Sequence, residues 1–195
     1  MKIPAFITVR TGSTRLPKKC LLPFGGGNVL EHVIRRAVYF DFDPIVCTTV
    51  LPEDDIIEEI AQREGCKCYR GSIENISERW REACNKFGID SFYAIDADDL
   101  FFEFYEGQPH KYIGDWRDTA EGYANCVNHI RLTLDYEEDY WMLYTVLRCL
   151  GHNADEKQIV KLFKCNPDLH KINWFRQKDY KENQECKLRE LDTLA

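Results

Sequence analysis

Residues Ile3 to Val9 (IPAFITV) are apolar and β-prone, and they run into a polar stretch of Gly, Ser and Pro. That is the pattern of a buried strand entering a loop. The loop, Arg10 to Asn28, carries Pro17, Pro23 and Gly25-Gly26-Gly27. Apolar residues then recur at helical spacing from about Val29 to Tyr39, and Pro44 to Thr48 (PIVCT) reads as a second strand. Pro52 opens a helix over Asp54 to Glu64 whose early acids suit the positive end of the helix dipole, and Gly65 stops it. Lys67 to Tyr69 reads as a short strand, Asn75 to Phe87 as a helix closed by Gly88, and Ser91 to Ile95 as a strand leading into Asp96-Ala97-Asp98-Asp99. The pattern weakens from Phe101 to Cys126. It resumes as a strand over Val127 to Leu134, a helix over Glu137 to Leu150 capped by Gly151, and a further helix from Asp155 to Phe163. Residues 167–195 are polar and read as a C-terminal tail.

Four strand–helix units in alternation predict an α/β fold, a mainly parallel sheet with helices on both faces. At 195 residues and 44% hydrophobic content the chain supports one domain, 1–195, with a sizeable core. Ligands of such sheets bind at the carboxyl ends of the strands. The Arg10–Lys19 loop and the Asp96–Asp99 turn both fall on that edge, so a basic loop and an acidic cluster are expected on one rim.

Charge narrows the partners. A formal net charge of −7 repels polyanions, which argues against nucleic acid and anionic membrane surfaces. No apolar run approaches the roughly 20 residues that span a bilayer, and the N-terminus lacks the apolar core of a signal peptide. Nine scattered cysteines, an odd number and mostly in apolar surroundings, read as reduced core residues of a cytoplasmic protein. Cys66-x-Cys68 has no second pair or histidines at zinc spacing, so two cysteines on alternate faces of a strand is the simpler reading. The five histidines are dispersed, and His32 reads as a packing or surface residue of the first helix.

Chemistry concentrates in two places. Arg10, Arg15, Lys18 and Lys19 put four positive charges within ten residues of an acidic chain, around Thr11-Gly12-Ser13-Thr14. A Gly/Ser turn at a strand exit gathers backbone N–H groups into a concavity suited to phosphate oxygens. The spacing matches neither a Walker motif nor a dinucleotide fingerprint, and a solvated basic loop is the competing reading. The second place is Asp96-x-Asp98-Asp99 together with Asp135, each after a strand. Hard oxygen ligands in this arrangement suit Mg²⁺, while Asp135 reads equally well as a helix N-cap.

The stretch Arg10-x-Gly12-Ser13-Thr14-Arg15-Leu16-Pro17-x-Lys19 resembles the opening motif of the cytidylyltransferases that make CMP-activated sugars, the CMP-3-deoxy-manno-octulosonate and CMP-acylneuraminate synthetases. The closest likeness is to the spore coat polysaccharide biosynthesis branch. Cys47-Thr48-Thr49 with Leu51-Pro52-Glu53-Asp54-Asp55, Tyr69-Arg70-Gly71-Ser72 with Asn75-Ile76 and Arg79, Arg131-Leu132-Thr133-Leu134-Asp135 with Glu138-Asp139, and Ile172-Asn173 with Gln177-Lys178 resemble further segments in order.

The resemblance implies the Rossmann-like nucleotide-diphospho-sugar transferase fold. It also implies Mg²⁺-dependent transfer of CMP from CTP to a small sugar or sugar-acid-like acceptor. It assigns Arg10, Thr11, Gly12, Ser13, Thr14, Arg15 and Lys19 to the triphosphate, with Arg15 and Lys19 catalytic at the leaving pyrophosphate. Arg70 and Ser72 fall near the cytosine, although Arg70 also reads as a surface arginine at a strand end. Asp98 and Asp135 fall on the metal positions. Asp96 stands near the base, where an acceptor could take the cytosine amino hydrogen.

The chain departs from this pattern at Ala97, Asp99 and Leu100, where the family has its G-D-x-P turn. It also departs in its middle, where 101–128 is a shortened acceptor-side segment. The acceptor does not carry over, and a homodimer stays open. Two other readings compete: a nucleotide-sugar-dependent glycosyltransferase using Asp96-x-Asp98, and a non-catalytic nucleotide-binding remnant.

Overall fold

A computed structural model describes residues 2–102 and 130–192. Four strands form one parallel sheet in the order β5-β4-β1-β6: β1 (Ile3–Thr8), β4 (Phe42–Thr49), β5 (Lys67–Gly71) and β6 (Tyr93–Asp96). Helices α1 (Val29–Tyr39), α2 (Asp55–Arg63) and α3 (Ile76–Phe87) make the crossovers. A short antiparallel hairpin, β2 (Pro23–Phe24) and β3 (Gly27–Asn28), leads into α1. Its turn uses Gly25 and Gly26 at φ 60° and 81°, a left-handed pair that side chains resist.

Side-chain alternation along β1 sorts the layers. Ala5 and Ile7 face Leu30, Val33 and Ala37 of α1 and Ile57 and Ile60 of α2. Phe6 faces the opposite way, with Ile45 and Cys47, toward Ala83 and Trp80 of α3. The sheet is thus covered on both faces. Local capping sets the helix starts. Asn28 and Glu31 form a reciprocal capping box on α1, and Asn75 accepts from Glu78 N–H at α3.

A second core lies beside the sheet. Phe24, Val29, Leu100 and Phe101 pack with Leu132 and Leu134, with Met142, Leu143 and Val146 of α4 (Glu137–Leu150), and with Ile159 and Phe163 of α5 (Glu156–Cys165). Arg36 ties the two cores. Buried at 1% exposure, it donates to the carbonyls of Phe101, Phe102, His152 and Ala154. Each bond satisfies a carbonyl that a sheet ladder does not reach.

Three expectations change. Ile130 to Leu134, the described part of the strand expected over Val127 to Leu134, is not a strand. Its polar groups are met from elsewhere: Leu134 N–H by Asp98 O, Leu134 O by Lys19 and Arg131 O by Asn173. The polar C-terminal stretch, read only as a tail, contains a helix, α6 (Arg176–Asp192). Cysteine burial is mixed: Cys20 and Cys47 are buried, while Cys149, Cys165 and Cys186 are exposed. The shortened segment lies outside the described residues from position 103 to its end. No helix among the described residues is long and apolar enough to cross a membrane.

Candidate active site

The carboxyl ends of β1, β4, β5 and β6 deliver the basic loop, Thr49, Gly71 and Asp96 to one edge. The loop after β1 folds on itself. Thr11 O accepts from Ser13 N–H and Lys18 N–H, and Lys19 N–H reaches Leu16 O. Lys18 sits at φ 55°, a conformation unfavourable for a side-chain-bearing residue and held here by those bonds. Arg10, Gly12 and Thr14 are exposed and Ser13 is half-buried. A Cβ on Gly12 would meet no atom within 4 Å, so the space beside it is open.

Thr11 differs from its neighbours. It is buried, and both its N–H and its hydroxyl donate to Asp54 Oδ1, at 2.8 and 2.7 Å. Thr11 therefore anchors the loop from below.

Lys19 joins the loop to the acids. Its ammonium bonds Asp98 Oδ2 at 2.7 Å, Leu134 O at 2.7 Å and Asp135 Oδ1 at 3.1 Å. Burial alone would lower the Lys19 pKa, but Asp98 and Asp135 outweigh it and raise the value. Asp135 is buried and carries three cations. Arg15 donates to Oδ1 at 2.6 Å, Arg131 to Oδ2 at 2.7 Å, and Lys19 completes the set. Burial pushes the Asp135 carboxyl up, and Lys19, Arg15 and Arg131 pull it below its ordinary range.

Asp135 is not a helix N-cap. Tyr136 takes that place, and Asp139 Oδ2 accepts the N–H groups of both Asp135 and Tyr136. Arg15 also lies over the rings of Tyr136 and Tyr180, which brings α6 against the loop.

Across Lys19, the carboxylates of Asp96, Asp98 and Asp99 each offer an oxygen within 4.8 Å of the others. Burial, then repulsion from Asp98 and Asp96, drives the Asp99 carboxyl well above its ordinary range. Three hard oxygen donors crowded at a strand end fit a small divalent cation. Asp135 is set apart from that cluster by Lys19.

Arg70 is fixed at the far side of the edge. It donates to Thr49 O at 3.0 Å and Leu51 O at 2.8 Å, and pairs with Asp55 and Glu58. Ser72 Oγ accepts from Asn75 N–H.

Several polar residues of the site sit in segments already conspicuous in the sequence, but with no role assigned there. Asp54 holds Thr11, Asp139 and Asn173 support the Asp135 turn, and buried Arg79 grips Ser72 O at 2.6 and 3.0 Å. Their signal is a charged or amide side chain at 0–1% exposure, which spacing alone does not reveal.

Comparisons with known proteins bear on the fold and the family. A structure of a cytidylyltransferase from Leptospira borgpetersenii superposes with a TM-score of 0.67 over 87% of this chain and 96% of that one, at 23% identity, which shows a shared fold. An uncharacterised protein of Methanocaldococcus jannaschii is 26% identical over 95% of this chain and its own full length. That alignment runs over 246 positions, so it spans segments that this chain lacks. The spore coat polysaccharide biosynthesis protein SpsF of Bacillus subtilis is 34% identical over 80 residues, 38% of this chain and 33% of that protein. The cytidylyltransferase family model matches residues 5–101, from β1 through the acidic turn. Over residues 5–101 the chain is similar to the cytidylyltransferase family.

Proposed function

We propose that this CTP-dependent nucleotidyltransferase moves CMP from CTP to a small sugar or sugar-acid-like acceptor, releasing pyrophosphate, with Mg²⁺, in the cytoplasm. A single nucleotidyltransferase domain, 1–195, would carry the reaction. The observation that carries the reading is the joined edge: a basic Gly/Ser loop and an acidic cluster meet through Lys19. The acceptor class draws support from the spore coat polysaccharide name of a relative over part of its length.

In this reading the loop Arg10 to Thr14 receives the triphosphate on its exposed face, with buried Thr11 holding it from below, and Arg15 and Lys19 face the leaving end. Cations there stabilise the charge that gathers on pyrophosphate as the acceptor oxygen attacks the α-phosphorus. No protein nucleophile is required. Asp98, with Asp96 and Asp99 beside it, would hold Mg²⁺, whose charge would offset the phosphate oxygens when bound. Asp135 keeps Arg15 and Lys19 extended toward this edge. Arg70 and Ser72 border the base.

The test is a nucleotide panel with a library of sugar acids and pyrophosphate detection. Pyrophosphate from CTP, with little from UTP, is the expected result. Consumption of a sugar nucleotide instead, or binding without turnover across the panel, would reject the reading.

A further inference from the structure

A buried carboxylate directly beneath a phosphate-binding loop is electrostatically out of place. Asp54 is 1% exposed and sits below the basic loop after β1. A negative charge there weakens the loop's attraction for a triphosphate, so its presence calls for a geometric reason.

The geometry supplies one. Asp54 lies at the entry of α2, and both of its oxygens accept hydrogen bonds. Oδ1 takes the Thr11 N–H at 2.8 Å and the Thr11 hydroxyl at 2.7 Å, and Oδ2 takes the Thr49 hydroxyl. Burial pushes the carboxyl up, but the bonds from Thr49 and Thr11 outweigh it and hold it ionised. Thr11 is in turn the pivot of the loop, since its carbonyl collects Ser13 N–H and Lys18 N–H. On the other side, Thr49 Oγ1 accepts Leu51 N–H at 3.2 Å. Arg70 then donates to the carbonyls of both Thr49 and Leu51. One chain of bonds therefore runs from the pivot of the loop, through Asp54, to the arginine at the base side.

We propose that Asp54 is a positioning residue that sets the basic loop and Arg70 in one fixed relation, so that triphosphate and base are gripped together. The proposal rests on the nucleotide reading above. Asp54 touches no reacting atom in it. It orients Thr11, and through Thr49 the backbone that seats Arg70.

Two substitutions separate geometry from charge. Asp54→Ala removes all three acceptor contacts. Asp54→Asn keeps a carbonyl oxygen for Thr11 and, by rotation of the Thr49 hydroxyl, an amide donor for Thr49. Calorimetric titration with CTP and Mg²⁺, normalised to the folded fraction, should show at least a tenfold rise in Kd for Asp54→Ala. Asp54→Asn should stay within about threefold of wild type. A merely structural aspartate would lower the melting temperature and the folded fraction while leaving Kd per folded molecule unchanged, and that result overturns the proposal. Equal loss in Asp54→Asn would also overturn it, since the charge rather than the geometry would then matter.

Hydrogen exchange gives a readout free of nucleotide. Thr11 N–H should be protected in wild type and exchange at least tenfold faster in Asp54→Ala, with the Ile7 and Val46 amides unchanged. If Asp54→Ala does not fold, Thr49→Val removes the bond to Oδ2 and the one from Leu51 N–H, keeps both Thr11 bonds, and should raise the Kd for CTP at least threefold; an unchanged Kd rejects the link to Arg70. If wild type itself binds no CTP, the functional reading fails, while exchange at Thr11 still judges whether Asp54 fixes the loop.

Discussion

Asp98 and Asp135 look equivalent in sequence, two aspartates that each follow an apolar run. Their surroundings separate them. Asp98 is half-buried and shares one oxygen with Lys19, whereas Asp135 is buried and satisfies three cations. Removing one partner from a buried ion cluster leaves charges unpaired. Asp135→Asn should therefore cost on the order of 3 kcal/mol in denaturant unfolding. Asp98→Asn should leave stability nearly unchanged and cut turnover at least about a hundredfold, since losing a ligand costs no less than losing its support. Equal melting temperatures for the two variants would contradict the ion-cluster argument. Asp96 separates in a similar way. Its position in the sequence suggests a reader of the cytosine amino group, but its carboxylate lies with those of Asp98 and Asp99. Asp96→Asn should lower kcat/KM for CTP and UTP by the same factor. A narrowed CTP/UTP ratio would return base reading to Asp96.

At the scale of elements, the loop after β1 is where sequence and structure agree most closely. Its Gly/Ser turn, its charges and its place at a strand exit were all legible in the chain. Replacing Arg15 or Lys19 with alanine should weaken CTP binding by roughly 1.5–3 kcal/mol each, the range for a hydrogen bond to a charged group. Unchanged affinity in calorimetry of both variants would remove the loop from the nucleotide site. The bounds of α1 and α4 were equally readable, because apolar residues recur at helical spacing over Val29 to Tyr39 and Gly151 follows the run that ends at Leu150. The segment before Asp135 was not. Its apolar alternation, Ile130, Leu132 and Leu134, imitates a strand, yet those residues pack into the second core without a ladder partner among the described residues. Periodicity reports which side chains are buried and is silent on what satisfies the backbone. The same limit hid Asp54 and Asp139, whose partners lie 43 residues away in one case and at a helix start in the other.

The molecule as a whole is held together at the contact between the sheet layer and the second core, and histidine places a pH limit there. His32 of α1 is buried and donates from Nε2 to Leu100 O at 2.8 Å, between the rings of Phe24 and Phe101. Burial lowers its pKa from 6.5 to about 4, with Arg36, His152 and Arg35 adding repulsion against the opposing pull of the Leu100 carbonyl. In the unfolded chain the ring protonates near its ordinary value of about 6.5. Between those two values the unfolded state binds the extra proton and the folded state does not, so stability rises with pH through that window. The contribution is complete above about pH 6.5 and is lost as pH falls toward 4, amounting at most to roughly 3 kcal/mol. Carboxylates in ion pairs add a parallel loss at lower pH, so the histidine must be isolated by comparison. His32→Gln keeps an N–H donor for Leu100 O and cannot titrate. It should be somewhat less stable than wild type at pH 7.5, yet its urea midpoint should fall less between pH 6.5 and 4.5. Parallel pH profiles for the two proteins would show that His32 is already protonated, or not desolvated, in the folded state. The joint between the cores would then not be the dry contact that Arg36 and the surrounding aromatic rings describe.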